Sequence, residues 1–391
     1  VHPAYGLILG ALIGGLVGGA GLTGTVNLMM DGAKNMMPAI LRILTAGVLA
    51  GVLIESGAAA KIAETIVEKI GESRALIALA IATMVLTMVG VFVDVSVITV
   101  SPIALAIAHK SGLSKPAILL AMVGGGKAGN IMSPNPNTIA AADNLGVSLT
   151  NVMIAGIVPA IFGVIITCIL ASRIKQKGSL VESDEHMKEL TDMPGFLPAM
   201  VGPLVAIILL MLRPIAGIAI DPLIALPVGG ICGILAMGKI KHINKYATYG
   251  LAKMSGVAIL LIGTGTLAGI IANSGLKDVI ISGINALGLP SFMLAPVSGI
   301  LMSAATASTT SGTAVATSVF GPTIVQLGVA PLATAAMIHA GATVLDHLPH
   351  GSFFHATGGS VSMDMKERLK LIPYESLVGL TMTIVSTIIF G

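Results

Sequence analysis

An eleven-residue segment occurs twice in this chain. Residues 47–57 read GVLAGVLIESG and residues 265–275 read GTLAGIIANSG. Six of the eleven positions are identical, and two more exchange one aliphatic residue for another. The interval of 218 residues is more than half of the 391-residue chain. A single recurrence at that distance implies two halves built on one plan.

Composition says what kind of halves. Hydrophobic residues make up 55% of the chain and charged residues 10%, where soluble domains carry roughly a quarter charged residues. Mean hydropathy is +0.97. Residues 75–93, 152–171, 196–212 and 377–390 contain no charge. Each can span, or nearly span, a hydrocarbon core of about 30 Å as a helix. These runs are continuous rather than alternating, which excludes a transmembrane β-barrel as well as a soluble domain. An apolar chain duplicated once has the organisation of a membrane transporter with two structural repeats. The net charge of +3 says nothing about nucleic acid, and with no Trp and no basic tract with interleaved aromatics no nucleic-acid partner is expected. Cys168 and Cys232 lie in apolar runs and form no disulfide framework. Gly10, Gly14 and Gly18 read as general close packing rather than a specific dimer motif. The chain starts at Val1, and its beginning lacks the basic region and cleavage site of a signal peptide.

The expected spans are 5–21, 38–54, 75–92, 93–109, 117–132, 150–172, 196–213, 222–238, 256–273, 291–307, 312–327, 331–345 and 373–390. Segments 93–109, 117–142, 306–327 and 339–360 are too short, or too rich in Gly, Pro, Ser and Thr, to be ordinary spanning helices. The one long polar stretch, 172–194, divides the chain. Residues 1–172 form the first repeat, 173–195 a polar cytoplasmic linker, and 196–391 the second repeat. Arg173, Lys175 and Lys177 border one loop, and Lys239, Lys241, Lys245 and Lys253 border another two spans later. Both can be cytoplasmic together, as the positive-inside rule requires. The same offset pairs 5–21 with 222–238, and 150–172 with 373–390. Pro102 then answers Pro322, and Pro116 answers Pro331. Span 196–213 has no mate, so a helix before Val1 is expected to be missing from this sequence. With it each repeat crosses an odd number of times, and the repeats are inverted.

The chemistry lies where polar residues interrupt apolar runs. Irregular backbone at membrane depth must be buried in protein or line a wet cavity. Two matched pairs of such segments occur. Asp94 opens one member of the first pair, 92–102; Ser308, Thr310, Ser311 and Thr313 populate the other, 307–314. Small hydroxyls and free backbone N–H groups at a helix start suit a carboxylate or a cation. An acid inside an apolar run marks function, with a helix cap at an interface as the plain alternative. The second pair is 124–138, with Lys127, Asn135, Asn137 and Thr138, and 346–355, with Asp346, His347, His350, Ser352 and His355. Lys127 can pair with a substrate carboxylate, snorkel to the surface, or neutralise Asp94 or Asp346. GGGKAG is no phosphate loop, because Ala121 and Ala128 replace the required Gly and hydroxyl. The spacing HxxHxxxxH is not a metal-ligand pattern, so no metal and no cofactor is expected. Arg42 either meets headgroups or reaches substrate, Lys253 and Arg213 look interfacial, and Glu55 looks structural.

Residues 92–108 resemble the Phe-x-Glu-Val segment of the gluconate permease family, and the similarity continues through Ala160. ATASTTSGTAVATSVFGP and ATVLDHLPHGSFF resemble the family's hydroxyl-rich and His-Val-Asn-Asp segments. Asp94 stands in place of the family's Glu, and His347 matches its His. Pro349 and His350 replace Asn-Asp, Lys127 replaces an uncharged residue, and Asn135 and Asn137 replace the His and Gly of Pro-His-Pro-Gly. The resemblance implies a member of the ion transporter superfamily. It implies an all-α polytopic protein of the inner membrane, with inverted repeats, re-entrant hairpins, broken helices, a homodimer and an elevator-like step.

The combined reading is a symporter for a small organic anion, a gluconate-like sugar acid or hydroxycarboxylate, and not an enzyme. Lys127, Asn135, Asn137, Thr138, Ser308, Thr310, Ser311, Thr313 and Ser352 bind substrate. Asp94, His347, Asp346 and His350 carry the coupling proton. The added cation at Lys127 suggests a more anionic substrate, such as a di- or tricarboxylate. The alternatives are a sodium-coupled di- or tricarboxylate symporter, a cation/proton antiporter of the same superfamily, and a metal-dependent intramembrane hydrolase.

Overall fold

The computed structural model describes residues 3–181, 193–275, 282 and 290–391. The acidic part of the expected linker, from Glu182 to Asp192, lies outside the described residues. The first half runs through α1 (Pro3–Val17), α2 (Gly21–Asn35), α3 (Met37–Glu55), α4 (Ala58–Ile70), α5 (Ala75–Met88), α6 (Val93–Ser111), α7 (Lys115–Asn130), α8 (Pro136–Asn144), α9 (Leu149–Ala155) and α10 (Ile157–Arg173). The second runs through α11 (Phe196–Ala216), α12 (Pro222–Ala236), α13 (Ile243–Ala272), α14 (Leu294–Thr306), α15 (Thr309–Val319), α16 (Gly321–Gln326), α17 (Pro331–Gly341), α18 (Ser352–Ser360), α19 (Met365–Lys370) and α20 (Ile372–Phe390). Among the described residues, six helical stretches are long and apolar enough to cross a membrane. A seventh is added if α4 and α5, bent by 98° at their junction, count as one.

Four helices differ from the sequence expectation. Val93–Ser111 is one continuous helix despite Pro102. Proline cannot donate to the carbonyl four residues back; here Ser101 Oγ donates to that carbonyl, Ile98 O, at 2.8 Å. Helices α2 and α4 occupy stretches with no predicted span. α4 is amphipathic, burying Ala59, Ile62, Ala63 and Val67 while Lys61 pairs with Glu64 at 2.7 Å. Helix α13 begins at Ile243, well before the expected apolar start.

The duplicated segments lie on helices that touch each other. Gly32 of α2 meets the backbone of Gly265 and Gly269 on α13. Gly47 of α3 meets Gly250, and Gly51 meets Tyr246. Numbers rise along one partner as they fall along the other, so the helices are antiparallel. The glycines are required because a Cβ at any of these positions would enter the facing backbone. The repeat offset carries Gly32 to Gly250 and Gly47 to Gly265, so the offset exchanges the contact Gly32–Gly265 with the contact Gly250–Gly47.

Helices α1, α2, α3, α11, α12 and α13 pack mainly among themselves. A second group is built around α7, which packs on α5, α6 and α10, and around α14, which packs on α15 and α17. All sixteen residues of α7 are buried. Its glycine run makes this possible: Gly125 lies on Ala80, Gly129 on Met84 and Thr87, Gly124 on Thr167, and Gly126 on Val93. The groups meet where α15 crosses α13 and α8 reaches α3.

Candidate transport site

The interrupted segments of both halves converge on a cavity of about 280 Å³. From the first half come Val93, Asp94 and Val95 in the first turn of α6, with Asn130 and Asn137 on either side of the α7–α8 break. From the second come Ala307 to Thr310 at the start of α15, Asp346 in the break after α17, and Ser352 and Phe353 at the start of α18. Helix α13 adds Lys253 and Val257. The first turns of α6, α15 and α18 therefore all border one space. Helix starts carry partial positive charge and unpaired N–H groups, which favours an anion there.

Local sequence sets each break. Asn135 caps α8: its Oδ1 accepts from the N–H groups of Asn137 and Thr138 at 3.0 and 3.1 Å. Its amide also donates to Asn130 O at 2.8 Å and to Asn130 Oδ1 at 2.5 Å. The flanking Pro134 and Pro136 cannot continue α7. Ser308 caps α15 by accepting from Ser311 N at 3.2 Å. Ala307 ends α14 in the left-handed region, with φ of 46°, a conformation that costs a non-glycine residue about 1–2 kcal/mol. Gly351 starts α18 without a side-chain cap, and a Cβ there would strike Ala307. The breaks are tied together by Thr310 Oγ1, which donates to Asn137 Oδ1 at 2.5 Å, and Thr309 Oγ1, which donates to Asp346 Oδ2 at 2.5 Å.

A buried charged chain extends from the cavity wall. Asp346 Oδ1 lies 2.6 Å from Lys127 Nζ. The same ammonium donates to Thr343 O and faces His347 Nδ1, both at 2.8 Å. His347 Nε2 is 3.0 Å from Ile372 O, which can only accept, so Nε2 carries the hydrogen. His347 Nδ1 faces Asp346 Oδ1 as well, at 3.0 Å. Glu375 approaches His347 to 3.9 Å. It is paired with Arg368, which also bonds Phe354 O at 3.3 Å and Thr357 Oγ1 at 3.2 Å. Lys127, His347, Arg368 and Glu375 are all buried, where each charge needs a partner.

The structure brings Asp94, Asn137, Ser308, Thr310, Asp346 and Ser352 to the cavity wall. It does not bring Lys127, Asn135, Thr138, Ser311, Thr313, His347 or His350 there. Lys127 lies behind Asp346, Asn135 is occupied by capping, and Thr138 Oγ1 bonds Asn135 Oδ1 at 3.2 Å. Thr313 is buried, and His350 and His355 are exposed, with His355 Nε2 2.8 Å from Pro349 O. Among the described residues no three His, Cys, Asp or Glu side chains gather in a way that could hold a metal ion. Sequence reasoning missed Lys253, Arg368 and Glu375. Lys253 read as interfacial because it was grouped with the basic loop residues Lys239, Lys241 and Lys245. Arg42 does not line the cavity. It bonds Asp221 through Nε at 3.0 Å and Nη2 at 2.7 Å, and also pairs with Asp143. Outside the spans, that guanidinium holds the Asp221 carboxyl below the usual carboxylate range.

Broken helices around a mid-chain polar cavity, inside a bundle of apolar helices, define a polytopic membrane transporter. Comparison with known proteins agrees. The model of the GntP family permease matches residues 1–391, and the chain belongs to that family. An uncharacterized transporter of Haemophilus influenzae is 67% identical over 392 residues, covering 100% of this chain and 94% of that protein. The high-affinity gluconate transporter of Escherichia coli is 23% identical over 429 residues, covering 100% and 94%. The YdaH transporter of Alcanivorax borkumensis shares the fold, with a TM-score of 0.75 at 15% identity over 99% of this chain and 98% of that one. The protein is thus a multi-pass permease of the inner membrane, not an enzyme.

Proposed function

We propose that this permease imports a small organic anion, a gluconate-like sugar acid or hydroxycarboxylate, by proton symport. The observation that carries the reading is the cavity itself. Three helix starts, the hydroxyls of Ser308, Thr310 and Ser352, the Asn137 amide and the Lys253 ammonium border one space of about 280 Å³. Hydroxyls and amides match a polyhydroxylated chain, while helix starts and Lys253 match its carboxylate. The relatives named gluconate permease, in Pseudomonas aeruginosa and Bacillus licheniformis, support the same substrate class. Asp94 and Asp346 border the space as well, and an anion entering beside them favours their protonated forms. His347 adjoins Asp346 and completes the proton-handling group.

Two inverted repeats and an elevator-like step belong to the same proposal. Equivalent helices packing antiparallel support the inversion. The separation into two helix groups, with α13 and α3 in one and the broken segments in the other, supports relative movement. The working unit is proposed as a homodimer, which crosslinking in native membranes would test.

The test is uptake by proteoliposomes offered gluconate, glycerate, malate and citrate under imposed pH or sodium gradients. Accumulation of one of them driven by an inward proton gradient is expected. Accumulation driven by sodium alone would replace proton coupling, and uptake of none would remove the substrate class. Asp94→Asn is expected to lower gradient-driven accumulation; unchanged accumulation would remove Asp94 from the coupling group.

A further inference from the structure

We propose that the substrate carboxylate and Asp346 compete for one buried ammonium, that of Lys127, so that the anion binds tightly only after Asp346 has taken a proton. This rests on the symport reading above and assigns its coupling step.

The geometry leaves Lys127 a single compensating charge. Its ammonium has three neighbours within 2.8 Å: Asp346 Oδ1, Thr343 O and His347 Nδ1. Thr343 follows the C-terminal end of α17, so its carbonyl adds only partial charge. His347 lies against both members of the pair, with Nδ1 2.8 Å from Lys127 Nζ and 3.0 Å from Asp346 Oδ1. Glu375 lies beyond His347 and is matched by Arg368. Of the helices packed on α7, α5 contains no titratable side chain, α10 only Cys168 and the terminal Arg173, and α6 contains Asp94, at the cavity wall, with His109 and Lys110 at its far end; α20 brings Tyr374 and the Arg368-paired Glu375, and α18 brings the exposed His355. Among the described residues, Asp346 is the carboxylate in direct contact with Lys127.

Asp346 is also the one member of the buried chain that reaches the cavity. Its Oδ1 faces Lys127 and its Oδ2 accepts from Thr309 at the wall. While Asp346 is ionised, the pair is neutral and an arriving anion meets the carboxylate first. A proton taken from the aqueous phase onto an Asp346 oxygen ends the pairing. The positive charge of Lys127 then stands uncompensated behind the wall, and an anion in the cavity supplies the balance. When the anion leaves, the charge on Lys127 expels the proton from Asp346. One proton enters and leaves with each anion charge so balanced. Reciprocity makes proton and anion raise each other's affinity by the same factor.

The experiment measures binding of the carboxylate that the wild-type protein accumulates best in the panel above, from pH 5.5 to 8.5. Three proteins are compared: wild type, Asp346→Asn, and the double variant Asp346→Asn with Lys127→Gln. Wild-type affinity is expected to fall about tenfold per pH unit in the alkaline part of the range, as one linked proton requires. Asp346→Asn should bind with little pH dependence and lose gradient-driven accumulation while keeping substrate counterflow. The double variant, which replaces the buried pair by neutral groups and is expected to fold, should show no pH dependence and at least tenfold weaker binding. A double variant with wild-type slope and affinity overturns the proposal, even if the single variant does not fold. If the wild type takes up none of the carboxylates, it is the symport reading that fails.

Discussion

The two helix breaks that face each other across the cavity solve the same problem with different chemistry. In the first half, 131–135 is neutral and self-contained. Asn135 caps α8 and holds Asn130, and no charge takes part. In the second half, the residues between α17 and α18 include Asp346 and His347, and the compensating ammonium comes from α7 of the other half. One break is rigid because its amides are satisfied locally. The other is held by a charge that can be withdrawn. A duplicated site has thus been divided into a fixed side and a titratable side.

Removing charge on the titratable side should do the most damage. Arg368→Ala leaves Glu375 buried without its partner, which costs about 3–5 kcal/mol. A large fall in melting temperature in detergent is expected, and replacing Glu375 by Gln as well should recover much of it. A wild-type melt for Arg368→Ala would mean that this chain is not held by charge.

Next comes the packing that places α7 between the two sides. Gly125→Leu forces a side chain into the backbone of Ala80, an overpacking cost of about 1–3 kcal/mol. Reduced yield of folded protein in size-exclusion profiles would show it. Unchanged profiles would mean that α7 moves aside freely.

The fixed side should lose less. Asn135→Ala removes a helix cap, about 0.5–2 kcal/mol, together with the tie to Asn130. Ser308→Ala removes a longer cap bond and should fall at the low end of that range. If Ser308→Ala were the more destabilising of the two in thermal melts, the fixed side would have been misassigned. The smallest effect on stability belongs to Lys253→Gln, since Lys253 is exposed at the cavity and its ring contact with Tyr249 is 5.6 Å long. Its melt should match wild type, while the concentration for half-maximal uptake rises several-fold.

Much of this contrast was legible from sequence, and the reason is local. Pro134, Pro136 and Pro349 stand among Gly, Ser and Asn residues rather than alone in an apolar run as Pro102 does, so the breaks announced themselves. A slightly shorter interval of 215 residues then aligned Asn135 with His350, and the starts of α7 and α17 through Pro116 and Pro331. Asp94 stood out because an acid in an apolar run needs an explanation. What sequence left open was the choice among partners for Lys127. Its distance along the chain from Asp346 gives no signal, and only packing decides between substrate, surface and carboxylate. Lys253 was missed for the opposite reason. Its grouping with the basic residues Lys239, Lys241 and Lys245 suggested an interface, whereas α13 is long enough, about 45 Å at 1.5 Å per residue, to carry that stretch to the cavity.

The seam of α13 against α2 and α3 has a consequence for ancestry. Each of its contacts has an image under the repeat offset, so the two partners present the same surface to each other. On the proposed inversion, two copies of a half-length polypeptide inserted in opposite senses would meet along that surface before any gene fusion. The duplicated glycines of this chain preserve the self-complementary interface that such an association would have used.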